Sequence, residues 1–262
     1  MSDVTVMEGC DAYSHIGEGS TGVLVIHGFT GNPSSMTPQA QAFAAAGLHV
    51  EQPRLPGHGT TIDDMMTTDW SDWSGEASAA FDRLAERAAE IVVIGLSMGG
   101  TLTLWTGLRH LGDERLKGLI AVNAATMPMP ADVVEMVQEM IDDGMTVMPA
   151  VGGDIADPDV TEIAYDGTPL KQYMSLVNDG IVPIADRYGE LDVPVLILSS
   201  PDDHVVPPEH SAHLRDTAGG GVEFVSLERS YHVATQDYDR DLINDRSLEF
   251  IERVTGWSRS SS

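Results

Sequence analysis

The sequence predicts one α/β domain, in which helices flank a mostly parallel sheet and a helical insertion interrupts the pattern. Short apolar runs rich in β-branched residues recur along the 262 residues, as in strands that are buried on both faces. Helical patterns separate most of these runs, and such alternation indicates right-handed βαβ crossovers. A chain of this length can bury a sizeable core without disulfide bonds or metal ions.

Strands and helices alternate along most of the chain. We predict strands at residues 23–26, 48–50, 91–94, 119–122, 195–198 and 222–225. We predict helices at residues 39–46, 70–89, 102–111, 208–218 and 238–254. The last helix places its apolar residues roughly on one face, which suits packing against the sheet.

A long insertion breaks the alternation. From residue 124 to about residue 184 the patterns are helical without a convincing strand, and six of the 13 methionines lie between Met127 and Met148. Connections between strands and helices usually span about two to six residues, and much longer ones are often caps over a functional site. The sequence therefore predicts a single domain over residues 1–262, with a helical cap at residues 124–186.

The charge balance is strongly acidic. Lysine and arginine number 14 against 41 aspartates and glutamates, so that the net charge is −27. Such a surface repels phosphate backbones and anionic lipid headgroups, which argues against a nucleic-acid partner. Adaptation to a salt-rich cytoplasm and compositional drift both explain the acidity, and the sequence leaves both explanations open.

Other composition features exclude several classes of protein. The single cysteine, Cys10, excludes an intramolecular disulfide and a cysteine-based metal cluster. The first residues lack the basic and apolar regions of a signal peptide, and no run approaches the ~18 apolar residues of a membrane span. We therefore expect a cytoplasmic protein without an integral membrane segment, and the sequence makes no prediction about its oligomeric state.

A candidate nucleophile lies in the Gly-x-Ser-x-Gly pattern at residues 95–99. The pattern alone is weak evidence, but here it directly follows a predicted strand and precedes a predicted helix. In such a sharp turn the serine adopts a strained conformation, and side chains two residues away on either side would collide, so both positions require glycine. The N-terminus of the following helix also stabilises developing negative charge. We predict Ser97 as the nucleophile.

A second loop, with the sequence His-Gly-Phe-Thr-Gly at residues 27–31, follows the first predicted strand. It can aim the N–H group of Phe29 at the same point as the N–H group of Met98. The two donors would form an oxyanion hole. For the His27 side chain we favour a structural role, in which hydrogen bonds brace the loop.

A nucleophilic serine needs a base, and the base needs an acid that orients it. In the chain order serine, acid, histidine, the acid is Asp203 or Asp202, which follow the predicted strand 195–198. The Asp-His-Val-Val-Pro pattern that starts at residue 203 favours Asp203, because the apolar pair can anchor its loop, and Asp202 stays the alternative. Of the nine histidines, His232 follows the last strand on the loop that should face Ser97, and we predict it as the base.

These residues resemble the α/β-hydrolase superfamily, and within it the bacterial carboxylesterases and monoacylglycerol lipases. The matching stretches cover nearly the whole chain: His-Gly-Phe-Thr-Gly-Asn from residue 27, Arg-Leu-Pro-Gly-His-Gly-Thr from 54, Thr-Thr-Asp-Trp from 67, Gly-Leu-Ser-Met-Gly-Gly from 95, Asp-His-Val-Val from 203 and Tyr-His-Val from 231. The resemblance implies the α/β-hydrolase fold, with Ser97 as nucleophile, Asp203 and His232 as its partners and the two oxyanion donors named above. It also implies a structural loop around His58, which is therefore not a second base.

The cap is the part from which we predict substrate choice. Apolar residues recur at helical spacing between residues 131 and 144, and this face is expected to pack on the domain. Met136 and Met140 on this helix are in addition candidate contacts of an acyl chain, because methionine adapts to chains of different length. A cap of this size encloses a medium acyl chain better than it admits a bulky triglyceride.

The expected reaction is hydrolysis of a carboxylic ester through an acyl-serine intermediate, without a metal or an organic cofactor. The expected substrates are small molecules, namely short-to-medium-chain neutral esters or monoacylglycerols. Alternatives with the same three residues are a thioesterase or a C–C bond hydrolase, and a further one is a non-catalytic ligand-binding member of the fold. A serine instead of an aspartate at position 97 argues against an epoxide or haloalkane hydrolase.

Overall fold

The computed structural model describes residues 4–150 and 153–259. Within these ranges the strands are β1 (Tyr13–His15), β2 (Thr21–Ile26), β3 (His49–Gln52), β4 (Glu90–Leu96), β5 (Leu116–Val122), β6 (Val147–Pro149), β7 (Gly167–Pro169), β8 (Val195–Ser199) and β9 (Val222–Ser226). The α-helices are α1 (Thr37–Ala45), α2 (Ile62–Met65), α3 (Trp70–Ala85), α4 (Met98–Arg109), α5 (Ala131–Asp142), α6 (Leu170–Ser175), α7 (Glu209–Thr217) and α8 (Arg240–Val254). A π-helix at Leu176–Ile181 continues α6.

One seven-stranded sheet, counted over the described ranges, has the strand order β1-β3-β2-β4-β5-β8-β9. β1 is antiparallel to β3, and every other neighbouring pair of this sheet is parallel. The prediction of a mostly parallel sheet is therefore confirmed. All parallel strands end at the same edge of the sheet, and the loops at that edge carry the predicted site residues.

Helices cover both faces of the sheet, as strands without a polar face require. In β2, Leu24 and Ile26 belong to a core that includes α3 and α4, whereas Val23 and Val25 belong to a second core with α1 and α8. All four side chains are fully buried. Full burial of one such side chain contributes about 1.5–3 kcal/mol to the free energy of unfolding.

Several predicted boundaries differ from the observed ones. The helix predicted to begin at residue 102 begins at Met98, because β4 passes into α4 through a single residue. The helix predicted to end at residue 89 ends at Ala85. The sequence analysis missed β1 and α2, which have three and four residues and are too short to show a periodic pattern.

The chain between β5 and β8 leaves the sheet and contains α5, β6, β7, α6 and the π-helix. The expectation that this insertion contains no strand is wrong, since β6 and β7 pair as a small antiparallel sheet. Each of them has three residues and ends in a proline, so neither shows the alternation that marks a strand. α5 packs on α6 through a small apolar cluster. Across the described residues, every helix is too short or too polar to span a lipid bilayer.

Candidate active site

The predicted site residues follow the carboxyl ends of neighbouring strands. Ser97 directly follows β4, Asp203 lies in the loop after β8, and His232 lies in the loop after β9. Phe29 lies in the loop after β2. In open α/β sheets this edge forms the crevice in which ligands bind, so the topology assembles residues that are distant in the sequence.

The turn at Ser97 has the strained geometry that its sequence pattern predicts, with φ 55° and ψ −117°. A Cβ atom on Gly95 would lie 2.1 Å from the carbonyl oxygen of Gly99, and one on Gly99 would lie 2.2 Å from that of Ile26. The N–H group of Ser97 donates to the carbonyl of Val122 at 2.9 Å. The two glycines therefore let three backbone segments meet closely enough to hold the serine in an unfavourable conformation.

His232 and Asp203 form a hydrogen-bonded pair, with 2.8 Å between Nδ1 of the imidazole and Oδ2 of the carboxylate. Only 1% of the Asp203 side chain is exposed. Its Oδ1 accepts the N–H groups of Val205 and Val206, each at 2.8 Å. The carboxylate therefore holds the proton of the neutral ring on Nδ1, which presents Nε2 as the basic nitrogen. These contacts favour Asp203, and Asp202 is exposed.

The histidines near the acid have other partners. His204 pairs with Asp154 at 2.8 Å between Nδ1 and Oδ1, and its side chain is 59% exposed. Nδ1 of His210 accepts the N–H groups of Thr126 and Met127 at 3.0 and 3.1 Å. These contacts leave His232 as the histidine that the Asp203 carboxylate orients.

The predicted oxyanion donors belong to the start of α4 and to the loop after β2. Met98 is the first residue of α4, and its N–H group has no acceptor within the helix. Gly28 brings the loop after β2 beside the predicted nucleophile, since a Cβ atom on Gly28 would lie 3.4 Å from Cβ of Ser97. The neighbouring Phe29 ring packs edge-to-face on Trp73, with 5.6 Å between ring centroids. These contacts hold the loop after β2 beside the Ser97 turn, as the prediction of a second backbone donor requires.

Two buried histidines support this loop. Nδ1 of His27 lies 2.9 Å from the carbonyl of Gly28, and its Nε2 accepts the N–H group of Leu55 at 3.1 Å. Burial, followed by the nearby His58, holds the pKa of His27 well below its ordinary value. Burial also lowers the pKa of His58 to about 4. Both rings are therefore neutral at pH 7, and the His27 ring braces the loop as predicted.

The sequence analysis missed Asn123, which directly follows β5 and has a φ of 43°. Its Nδ2 donates to the carbonyl of His232 at 2.8 Å, and its Oδ1 accepts the N–H group of Ser200 at 2.8 Å. Asn123 thereby joins the loop of His232, the predicted base, to the loop of Asp203, the predicted acid. The signal that could have identified Asn123 is a polar residue that directly follows a buried strand in the sequence, at the edge where the other predicted site residues lie.

The sequence analysis also missed Glu162, which the insertion brings to the site. Its Oε2 accepts the N–H group of Gly153 at 3.0 Å, and its Oε1 lies 3.3 Å from where a Cβ atom on Gly31 would be. Burial raises the pKa of Glu162, while the Gly153 N–H group and the charge of protonated His232 act in the opposite direction. A carboxylate thus lies near the loop after β2 and close enough to His232 for their charges to interact, and neither a motif nor a periodicity marks it.

Met136 and Met140 both lie on α5 but have different surroundings. Met140 packs against the apolar cluster between α5 and α6, whereas Met136 is 48% exposed. α6 contributes Tyr173, whose ring centroid lies 6.1 Å from that of Phe29. The insertion therefore meets the oxyanion loop through α6, and α5 packs on α6.

Comparisons with known proteins agree with this fold. The family described as "Alpha/beta hydrolase family" matches residues 23–246. A thermostable monoacylglycerol lipase of Bacillus sp. (strain H-257) is 38% identical over 257 residues, which cover 96% of this chain and 98% of that lipase. A carboxylesterase of Bacillus subtilis (strain 168) is 24% identical over 239 residues, which cover 90% of this chain and 94% of that enzyme. A solved structure from work on LipS and LipT, two metagenome-derived lipolytic enzymes, has a TM-score of 0.88 and 39% identity, covering 95% of this chain and 100% of that one.

Proposed function

Because the chain belongs to the α/β-hydrolase family, we propose that it is a serine carboxylic-ester hydrolase with Ser97 as nucleophile, His232 as base and Asp203 as orienting acid. The observation that carries the proposal is the buried hydrogen bond between His232 and Asp203 at the same sheet edge as the strained serine turn. The names of the relatives, a monoacylglycerol lipase and a carboxylesterase, support an ester as the substrate.

The reaction proceeds in two halves. His232 takes the proton of Ser97 as Oγ bonds to the ester carbonyl carbon, and the N–H groups of Phe29 and Met98 bind the resulting oxyanion. The bond from carbon to the alcohol oxygen then breaks, and His232 returns its proton to that oxygen. In the second half His232 deprotonates a water molecule, which attacks the carbonyl carbon of the acyl-serine. The bond from that carbon to Oγ then breaks, His232 returns the proton to Oγ, and the carboxylic acid leaves. Removing one oxyanion donor typically costs about 2.7–4 kcal/mol of transition-state stabilisation.

For the substrate we propose monoacylglycerols and short-to-medium-chain neutral esters. The Glu162 carboxylate, near the imidazole that protonates the leaving alcohol, can accept hydrogen bonds from the free hydroxyl groups of glycerol. The net charge of −27 disfavours anionic substrates. Met136 and Met140 remain our candidates for contacts with the acyl chain of the substrate. The insertion at residues 124–186 acts in this proposal as the cap.

A panel of esters tests the reaction and the substrate class together. The purified protein is expected to hydrolyse nitrophenyl esters of short to medium chain length, and monoacylglycerols faster than long-chain triacylglycerols, because the cap limits the size of the alcohol part. Initial rates are measured at equal substrate concentration below KM. A protein that hydrolyses none of these esters contradicts the reaction class, and one that prefers triacylglycerols contradicts the substrate class.

The substitution Glu162→Gln is expected to raise KM for a monoacylglycerol about fivefold, because a hydrogen bond to a charged acceptor is about 1 kcal/mol stronger than one to a neutral acceptor. The ethyl ester of the same fatty acid has no free hydroxyl group, and its kcat/KM is expected to change by less than about twofold. Glu135→Gln on the exposed face of α5 is the matched control. Equal losses for the two esters would refute this role of Glu162.

A further inference from the structure

Asp154, in the insertion, contacts both loops that carry the proposed acid and base. Its Oδ2 accepts the N–H group of His232 at 3.0 Å, and its carbonyl oxygen accepts that of Val233 at 3.0 Å. The same Oδ2 accepts the N–H group of His204 at 3.1 Å, and Oδ1 lies 2.8 Å from Nδ1 of the His204 ring. One residue therefore joins three separate segments of the chain, and one of them carries the base.

The loop of the base depends on such contacts. Residues 227–239, here called the base loop, form neither strand nor helix. The N–H group of Leu227 donates to the carbonyl of Ser199 in β8 at 2.8 Å, and the backbone groups of the following residues need partners outside the sheet. Asn123 binds the carbonyl of His232 at 2.8 Å, and Asp154 binds its N–H group. Side chains from two other segments thus hold both polar groups of the His232 backbone.

Asp154 is itself held in place by a reciprocal contact. The buried carboxylate of Asp237, in the base loop, accepts the N–H groups of Ala156 and Asp157 at 2.7 and 3.1 Å. The same carboxylate accepts the N–H group of Tyr231 at 2.9 Å. Residues 153–157 of the insertion and the base loop therefore bind each other in both directions, which restricts their relative movement.

The His204 ring completes the surroundings of the Asp154 carboxylate. Nδ1 of the ring contacts Oδ1 of Asp154, so that Oδ2 is left for the backbone N–H groups of His204 and His232. The ring also packs edge-to-face on Tyr231, with 4.6 Å between ring centroids. The hydrogen bond to Asp154 and then its charge raise the pKa of His204, and Asp202 and Asp203 act in the same direction. The carboxylate is thus bound by three donors that all belong to the acid and base loops.

We propose that Asp154 is a positioning residue for the base, which holds the His232 backbone so that the imidazole stays aligned with Asp203 and Ser97. The inference rests on the proposed function, because it takes His232 as the base. Displacement of a catalytic group by about 1 Å can cost about 100-fold in rate, so the loss of this support affects turnover even where the fold persists.

The test compares three variants after titration of their active sites with an organophosphonate to completion. Asp154→Ala is expected to lower kcat per titrated site for an acetyl ester by about ten- to a hundredfold, with KM changed by less than about twofold. Asp154→Asn keeps an oxygen that can accept both backbone N–H groups, and it is expected to retain kcat within about threefold. Asp157→Ala is the matched control in the same segment, because among the described residues the Asp157 side chain accepts only the exposed N–H group of Asp159.

The readouts separate positioning from general stability. A merely structural role would lower the melting temperature and the number of titratable sites but leave kcat per site at the wild-type value, and that result would overturn the inference. Equal losses in Asp154→Asn and Asp154→Ala, or a similar loss in Asp157→Ala, would overturn it as well. If Asp154→Ala does not fold, Asp154→Glu replaces it, since it keeps the charge but displaces the oxygens, and wild-type kcat per site in that variant would refute positioning. A wild-type protein that is neither titrated nor active would refute the proposed function instead.

Discussion

Ser97→Ala is expected to lower kcat for every ester by roughly 10⁵- to 10⁶-fold, because alanine lacks the hydroxyl group on which the proposed acyl intermediate forms. The melting temperature should stay close to the wild-type value, since alanine and serine are equally strained at a φ of 55°. Ser97→Gly is the informative partner. It should be equally inactive yet more stable, because backbone strain of this kind costs about 1–3 kcal/mol and glycine relieves it. Steady-state rates and thermal unfolding measure the two effects separately.

A covalent label checks the same assignment independently. An organophosphonate should modify the wild-type protein at Ser97 and leave Ser97→Ala unmodified, as peptide mass mapping would show. Phosphonylation of another serine, or ordinary turnover by the alanine variant, would assign the nucleophile to a different residue.

Asp203→Asn is expected to lower kcat by about 10⁴-fold, which is the second large effect. The asparagine amide would donate to Nδ1 of His232 and stabilise the tautomer that lacks a basic Nε2. Its remaining oxygen can still accept the N–H groups of Val205 and Val206, so the loop should keep its conformation. The comparison of kcat at pH 7 with thermal unfolding tests both parts.

The neighbouring aspartate is the control for that experiment. Asp202→Asn removes the same charge from the exposed residue that precedes Asp203. This variant should change kcat by less than about twofold, because surface charges are well screened. The opposite ranking of the two variants would identify Asp202 as the acid.

The parts of the site that the sequence predicts are those defined by local patterns. Ser97 lies between two glycines that the turn requires. The buried strands are short apolar runs, and because they pair in parallel, the loops that follow them lie at the same edge of the sheet. The choice of Asp203 over Asp202 rests on a loop conformation in which two backbone N–H groups converge on one carboxylate. The sequence alone favoured Asp203 but left Asp202 as an alternative.

The supporting residues escaped prediction because their partners are far along the chain. Asp154 binds the backbone of a residue 78 positions later, and Asn123 binds one 109 positions later. A periodic pattern in the sequence does not indicate a contact between one side chain and such a distant backbone group. Similarly, β6 and β7 are too short to show alternation, and their pairing depends on how the insertion folds over the domain.

The bonds between residues 153–157 and the base loop mean that the insertion is not a detachable module. Recombination that exchanges this region between relatives would replace the proposed cap, but it would also remove an acceptor for the His232 N–H group. A productive exchange must carry its own equivalent of Asp154 or leave residues 153–157 in place. In evolution or in engineering, the proposed cap can therefore vary most freely in α5 and in the short sheet of β6 and β7, while residues 153–157 remain bonded to the loop of the proposed base.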